Sequence, residues 1–445
     1  MAAAAAGAAT MGAGMAAPAA AAAPAPQYRL VLGTAKDSEY RGINARGDII
    51  GVSPDPARFG REEGFVIKAG TTTPTFLADP GTNNQNSVPR SIDDQGVVVG
   101  RYLKNVVVPG GAMEVTRPAI WPGPGGAGSD LGVNPTGSAD AFGINGQQQI
   151  VGWQGGPTSI TPWQRNGTTV TNLPPFGGSK DTEALGENSN GVVVGDATVP
   201  GGTLPGGDQV ALEWANGKLT TLGQLDGGAW SEALAINTAG QAVGSAAPAG
   251  SSLLDSHAVM FSGGKAIDLN VPRGVNQGTA HATAINTAGV IVGDDSVFPD
   301  VSGIGNGFVY RNGHATELNS LIKPTPNVRV GGATGINDAG DIAVTAVLTG
   351  PDGMVSTVGY ECPTVHFGVA RRLMLLTAEA SAGERVVVCA HLLVDSTGEH
   401  LLPPVLRRSG HRTRDRGPHK HSGRDLESGP RGHPRGLGLR HRVLR

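Results

Sequence analysis

The sequence predicts an all-β protein, a seven-bladed β-propeller built from four-stranded repeats. Three observations carry that expectation. The first is composition. Of 445 residues, 70 are Gly and 31 are Pro, while 16% are charged and 4% aromatic. Gly and Pro both break helices, which excludes a helical architecture. Gly does not fall at every third position, which excludes a collagen-like chain. With 39% apolar residues and a net charge of −3, the chain has the material for a core and lacks a disordered composition. The second observation is a unit that recurs about every 49 residues. The third is that each unit reads as four short antiparallel strands, the arithmetic of a propeller blade.

The repeat is clearest in two copies, Ala235-Ile236-Asn237-Thr238-Ala239-Gly240-Gln241-Ala242-Val243-Gly244 and Ala284-Ile285-Asn286-Thr287-Ala288-Gly289-Val290-Ile291-Val292-Gly293. Five further copies follow the same grammar of Asn or Asp, a turn Gly and a closing Gly. Asn44 leads through Gly47 to Gly51, and Asp93 through Gly96 to Gly100. Asn145 leads to Gly152, with Gln148 where the turn Gly is expected. Asn188 leads through Gly191 to Gly195, with Glu187 in place of the usual Ile. Asn337 leads through Gly340 to Val344, where the closing Gly is lost. The closing positions lie 49, 52, 43, 49, 49 and 51 residues apart. Asn or Asp starts a turn by bonding its own backbone, and Gly supplies the positive φ, so all of these residues are expected to mark strand–turn–strand units. The apolar runs that follow, such as residues 96–101 and 289–294, read as buried strands.

Each core is followed by a strand with one large residue: Ile67, Trp121, Trp163, Trp214, Phe261, Tyr310 and Tyr360. One such residue per unit at an equivalent place reads as core between blades rather than as a sugar-binding surface. A Gly-containing turn and a last strand, such as residues 218–223 and 265–270, complete the unit. The seventh unit lacks this last strand, and residues 28–34 resemble it. A ring closed by the N-terminal strand needs that split, and closure removes exposed strand edges. The alternative is an open β-solenoid, which calls for capping repeats instead.

The Ile-Asn-x-x-Gly-x-Val-Val-Gly core, with His257-Ala258-Val259-Met260-Phe261 and Asp268-Leu269 after it, resembles the HAF repeat family. The resemblance spans residues 28–361, and only the fifth unit keeps the His. It implies a repeat fold in a mostly bacterial, extracellular protein, and it brings no catalytic residues. Residues 1–27 form an Ala-rich leader that resembles the end of a signal peptide without its charged start. Export to the exterior or cell surface is therefore expected, with a cytoplasmic location if the leader is no signal. The leader is too weakly apolar for a membrane span.

Charge divides the chain near residue 361. Lys and Arg number 19 before it and 15 after, against 30 and 7 Asp and Glu, giving −11 and +8. Residues 362–445 also hold eight of the eleven His and both Cys, at 362 and 389. This non-repetitive tail reads as a reading-frame error in a GC-rich gene, the alternative being a basic arm. It carries no periodic aromatics or nucleic-acid module, so no nucleic-acid partner is expected.

Chemistry in the body is sparse. Arg46-Gly47-Asp48 reads as a turn rather than an adhesion motif. Asp93-Asp94, Asp294-Asp295 and Asn337-Asp338 with Asp341 lack a Ca²⁺ loop's alternating oxygens and read as turn starters. His257, His281 and His314 are scattered, and Ser256 beside His257 makes no catalytic pair. No catalytic, cofactor or metal residue is assigned, and no phosphate loop is present. The expected function is a monomeric, secreted, non-enzymatic repeat protein that binds an extracellular glycan or protein or serves as a scaffold. The alternatives are a propeller hydrolase or lyase acting on an extracellular polymer, and a degenerate gene product. The hydrolase would bring Asp93, Asp294, Asp341 or His281 together on the axis.

Overall fold

The computed structural model describes residues 28–32, 38–54, 61–80, 86–108, 111–156, 158–202, 208–251, 255–272, 278–296, 305–322, 325–349 and 355–362. The Ala-rich leader and the basic tail beyond Cys362 lie outside them. The described strands form seven antiparallel four-stranded sheets in a β-propeller arrangement. In chain order the first strands are Glu39–Ile43, Ser87–Ile92, Ser138–Ile144, Thr182–Glu187, Trp230–Ile236, Thr279–Ile285 and Val328–Ile336. Their neighbours are Ile49–Pro54, Val98–Val108, Ile150–Gly156, Val193–Val199, Ala242–Ala247, Ile291–Ser296 and Ile342–Thr349. Six sheets add two further strands in sequence order; the seventh adds Val355–Cys362 and the N-terminal Val31–Leu32. In that sheet Val31 is opposite Glu361 and Leu32 opposite Tyr360. Tyr28, fully buried, extends the attachment, its N–H donating to the Leu321 carbonyl at 2.9 Å.

The turn after each first strand follows from its Asn. The Asn237 Oδ1 accepts the N–H groups of Ala239 and Gln241, at 3.1 and 3.0 Å. The fourth turn residue then sits at positive φ, as Gly47, Gly96, Gly191, Gly240, Gly289 and Gly340 do. Gln148 takes the same conformation at φ 59° without being glycine.

The Asn amides also tie neighbouring sheets together. Asn145 Nδ2 donates to the Asn188 carbonyl, Asn188 to Asn237, Asn237 to Asn286 and Asn286 to Asn337, at 2.9–3.1 Å. Asn337 donates to the Asn44 carbonyl at 3.3 Å, and Asn44 to that of Asp93 at 2.9 Å. The series breaks at Asp93, whose carboxylate has no N–H to give. Gln148 spans that gap, its Nε2 lying 3.4 Å from Asp93 Oδ2.

The core lies between sheets. Val99 of the second sheet packs with Ala139, Ile144, Ile150 and Trp163 of the third. Val151 of the third packs with Ala184, Val193, Leu212 and Trp214 of the fourth. Each Val, Leu or Ile among them contributes about 1.5–3 kcal/mol by leaving water. Ile67, Trp121, Trp163, Trp214 and Phe261 are buried as core, and Tyr310 is half-buried. They are not all equivalent, however. Ile67, Trp121, Trp214, Phe261 and Tyr310 face Ile49, Val98, Val193, Ala242 and Ile291, two residues before the closing position. Trp163 and Tyr360 instead pair with the closing position itself, Gly152 and Val344.

The closing glycines correct the sequence reading. Gly51, Gly100, Gly152, Gly195, Gly244 and Gly293 lie inside second strands and lack positive φ. A Cβ on Gly195 would run into the carbonyl of Glu183, and one on Gly244 into that of Glu232. The cause is a break in register: every first strand carries a β-bulge three residues before its Asn or Asp. The extra residues are Arg41, Arg90, Phe142, Leu185, Leu234, Thr283 and Thr334. In the first six sheets the bulge presses the inner backbone onto the second strand, where a Cβ would meet a first-strand carbonyl; the seventh sheet, with a second register shift between Val330 and Gly332, carries Val344 there.

Candidate functional site: an axial channel lined by seven first strands

The first strands converge on one cavity of about 250 Å³, lined by residues from all seven. All seven bulge residues line it. Thr283, Thr334, Arg41 and Arg90 come from the sixth, seventh, first and second sheets, and Phe142, Leu185 and Leu234 from the third, fourth and fifth. The wall therefore has a polar half and an apolar half. Arg90 stacks on Phe142, with 4.6 Å from guanidinium to ring centroid, where the halves meet.

Two residues back along each first strand stand Glu39, Val88, Asp140, Glu183, Glu232 and His281, with Gly332 closing the series. Their partners across the register are Val52, Arg101, Trp153, Asp196, Ser245, Asp294 and Thr345. Directly opposed residues share a face of the sheet. The second through sixth sheets thus contribute an arc of charge beside the axis. Asp140, fully buried, receives Arg90 Nη2 at 3.0 Å and Arg101 Nη1 at 3.7 Å. Glu232 accepts the Ser245 hydroxyl at 3.2 Å. His281 Nδ1 lies 3.4 Å from Asp294 Oδ2.

Burial pushes the carboxyls of this arc upward. Glu183 is raised to about 7, by burial first and then by the charges of Asp140, Asp181 and Glu232. Asp196 is raised by burial, then by Glu183 and Glu232. Glu232 is raised by burial, with His281 opposing. Asp140 is raised by burial despite its two arginines. His281 is also raised; burial alone lowers it, but Asp294 and Glu232 outweigh that. Glu187, on the cavity wall where six units have Ile, is raised to about 7 by burial, with Gln164 its one hydrogen-bond partner among the described residues, at 2.5 Å.

The structure sorts the sequence candidates. His281 and Asp294 reach the axial arc, and Asp294 is a strand residue, not a turn starter. Asp93 and Asp341 stay in the turns, where Asp93 Oδ1 accepts the N–H groups of Gln95 and Val97. Asp48, of the Arg-Gly-Asp stretch, is a buried turn residue held by Arg46 and Lys68 at 2.7 and 3.1 Å. His257 Nδ1 bonds Asp268 Oδ2 at 2.6 Å beside a cavity of about 160 Å³, tying a third strand to a fourth. Asp140, Glu183, Asp196 and Glu232 were missed. Stacking the units on their Asn places titratable residues at the same two offsets, five before the Asn and one after the closing Gly. Among the described residues no group of three or more His, Cys, Asp or Glu could hold a metal ion, and no helix is long and apolar enough to cross a membrane.

No protein-family model and no curated protein matches the chain. Solved structures similar to it include a protein of unknown function from Dyadobacter fermentans, at 11% identity and TM-score 0.36, covering 77% of this chain and 96% of that one. A second is the phage phi92 endosialidase, at 10% identity and TM-score 0.38, covering 87% and 76%. A third is the GH32 β-fructofuranosidase of Bombyx mori, at 9% identity and TM-score 0.28, covering 76% and 91%.

Proposed function

We propose that the seven sheets are the blades of one ring closed by the N-terminal strand, and that the protein is a secreted, non-enzymatic binding propeller. The ring reading is supported by the amide series that returns from Asn337 to Asn44. The binding reading is carried by one observation: charged side chains from five sheets converge beside the axial cavity. Its partner is an extracellular glycan or protein held at the arc of Glu183, Asp196 and Glu232. Export and HAF-type membership are part of the same proposal and are supported by the repeat motif.

A glycan and protein array probed with wild type and Glu183→Gln tests the proposal. Hits lost in the variant are expected; no hits, or hits that Glu183→Gln leaves intact, refute it. One observation favours the hydrolase as a second reading: a carboxyl titrating at about 7 is a competent general acid at neutral pH. Release of reducing ends from a polysaccharide panel, abolished by Glu183→Gln, would establish it.

A further inference from the structure

The apolar half of the cavity and the acidic arc are stacked on the same strands. Phe142, Leu185 and Leu234 each lie two residues from Asp140, Glu183 and Glu232, about 7 Å along the axis. The acids differ in what already satisfies them. Asp140 has two arginines and Asp294 has His281. Among the described residues Glu232 has one hydrogen bond, from the Ser245 hydroxyl, and the charge of His281 near it. Among the described residues, neither the Glu183 nor the Asp196 carboxyl has a hydrogen-bond or ion-pair partner. Asp196 is nonetheless only 8% exposed, and it stands on the face where Glu183 lies and toward Glu232 of the next sheet. A buried carboxylate without a counter-charge is costly, and a cation brought to it recovers that cost. The arc does not provide three groups close enough for a bare metal ion. A charge carried on a larger frame fits this spacing, with the frame against the leucines above it.

We propose that the axial site takes an organic cation with an apolar stem, a primary ammonium or guanidinium among Glu183, Asp196 and Glu232 with its stem against Leu185, Leu234 and Phe142. This rests on the reading of the axis as a binding site and names the chemistry of its ligand. Binding is coupled to protons. Glu183 faces Asp140, Asp181, Glu232 and Arg90; Asp196 faces Glu183 and Glu232; Glu232 faces His281 and Asp294. A cation among them favours their ionised forms, so protons leave as it binds, and affinity rises with pH through neutrality.

Calorimetry on the full chain with n-hexylammonium, hexanol and hexanoate at neutral pH tests this. Hexylammonium is expected to bind at least about tenfold tighter than hexanol, with a heat that depends on the buffer's ionisation enthalpy. Glu183→Gln is expected to weaken it by about tenfold or more, and Leu185→Ala to weaken hexylammonium and hexanol alike. Glu213→Gln, on the third strand of the fourth sheet, leaves it unchanged. Circular dichroism melts confirm that each variant is folded. Equal affinity for hexanol, tighter binding of hexanoate at the arginine half, or no heat with folded wild type overturns the proposal. If these occur while array hits still depend on Glu183, the cationic ligand class is wrong and the axial binding site stands. If both fail, both readings fall.

Discussion

Replacing Asn237 by Asp isolates what the amide series does. The substitution keeps shape and keeps the acceptor for Ala239 and Gln241, so the turn survives. It removes the donor. Asn237 Nδ2 now serves the Asn286 carbonyl at 3.0 Å and Gln241 Oε1 at 2.9 Å, at a site only 4% exposed. Two lost hydrogen bonds cost about 1 kcal/mol each, and an unsatisfied carbonyl facing a carboxylate adds to that, giving about 2–3 kcal/mol. At a urea slope of about 3 kcal/mol/M for a domain of this size, the midpoint falls by somewhat under about 1 M. The new carboxyl has a folded pKa above its unfolded value, because its protonated form can donate to the Asn286 carbonyl that its ionised form repels. The variant is therefore closest to wild type below about pH 4 and loses stability as pH rises through that folded value. The reciprocal change, Asp93→Asn, supplies the donor missing from the series and is expected to stabilise by about 1 kcal/mol. Urea unfolding of both variants at two pH values provides the readout. A loss under about 0.3 kcal/mol in Asn237→Asp, or a loss independent of pH, refutes the claim that these amides hold adjacent sheets together.

Other expectations follow from the same geometry. Glu187→Ile restores the residue that six units carry. The Glu187 carboxyl is raised to about 7, so its contribution is complete below its unfolded value near 4.5 and is lost as pH rises toward 7. The variant should gain about 2 kcal/mol more over wild type at pH 8 than at pH 4.5, read by urea midpoints. Gly195→Ala should prevent folding or cost more than about 4 kcal/mol, since its Cβ meets the Glu183 carbonyl. Gly191→Ala, in the turn at φ 74° with its nearest neighbour a flexible glutamine tip, should cost about 1 kcal/mol. Equal losses in these two glycine variants would show that the bulge does not govern the closing position.

The turn grammar was legible because it is local. An Asn that bonds its own backbone and a residue three positions later at positive φ are specified within five residues, and even Gln148 obeys the geometry its neighbours impose. The role of residues 28–34 was legible in part: the chain pairs Val31–Leu32 with the seventh sheet, as an orphan last strand should. The closing glycines were misread because their reason is not local. Gly195 is required by the carbonyl of Glu183, twelve positions earlier, and that contact exists only once pairing register and bulge are known. The arc was half legible for the same reason. Asp93 and Asp294 look alike in sequence, but one starts a turn and the other stands one position past a closing Gly, in a strand. Alignment of units by their Asn separates the two, whereas composition and motif spacing do not. Burial, which sets the behaviour of Asp140, Glu183 and Asp196, comes from neighbouring sheets and has no signature in any single unit.

Separate sheets bring Glu183 and Glu232 together beside the axis. A ¹³C-carboxyl NMR titration measures this, with Glu183 assigned by its absence from Glu183→Gln. The Glu183 midpoint is expected at about 7, moving downward in Glu232→Gln as a neighbouring negative charge is removed. A midpoint in the ordinary glutamate range, or one that Glu232→Gln leaves in place, would contradict it.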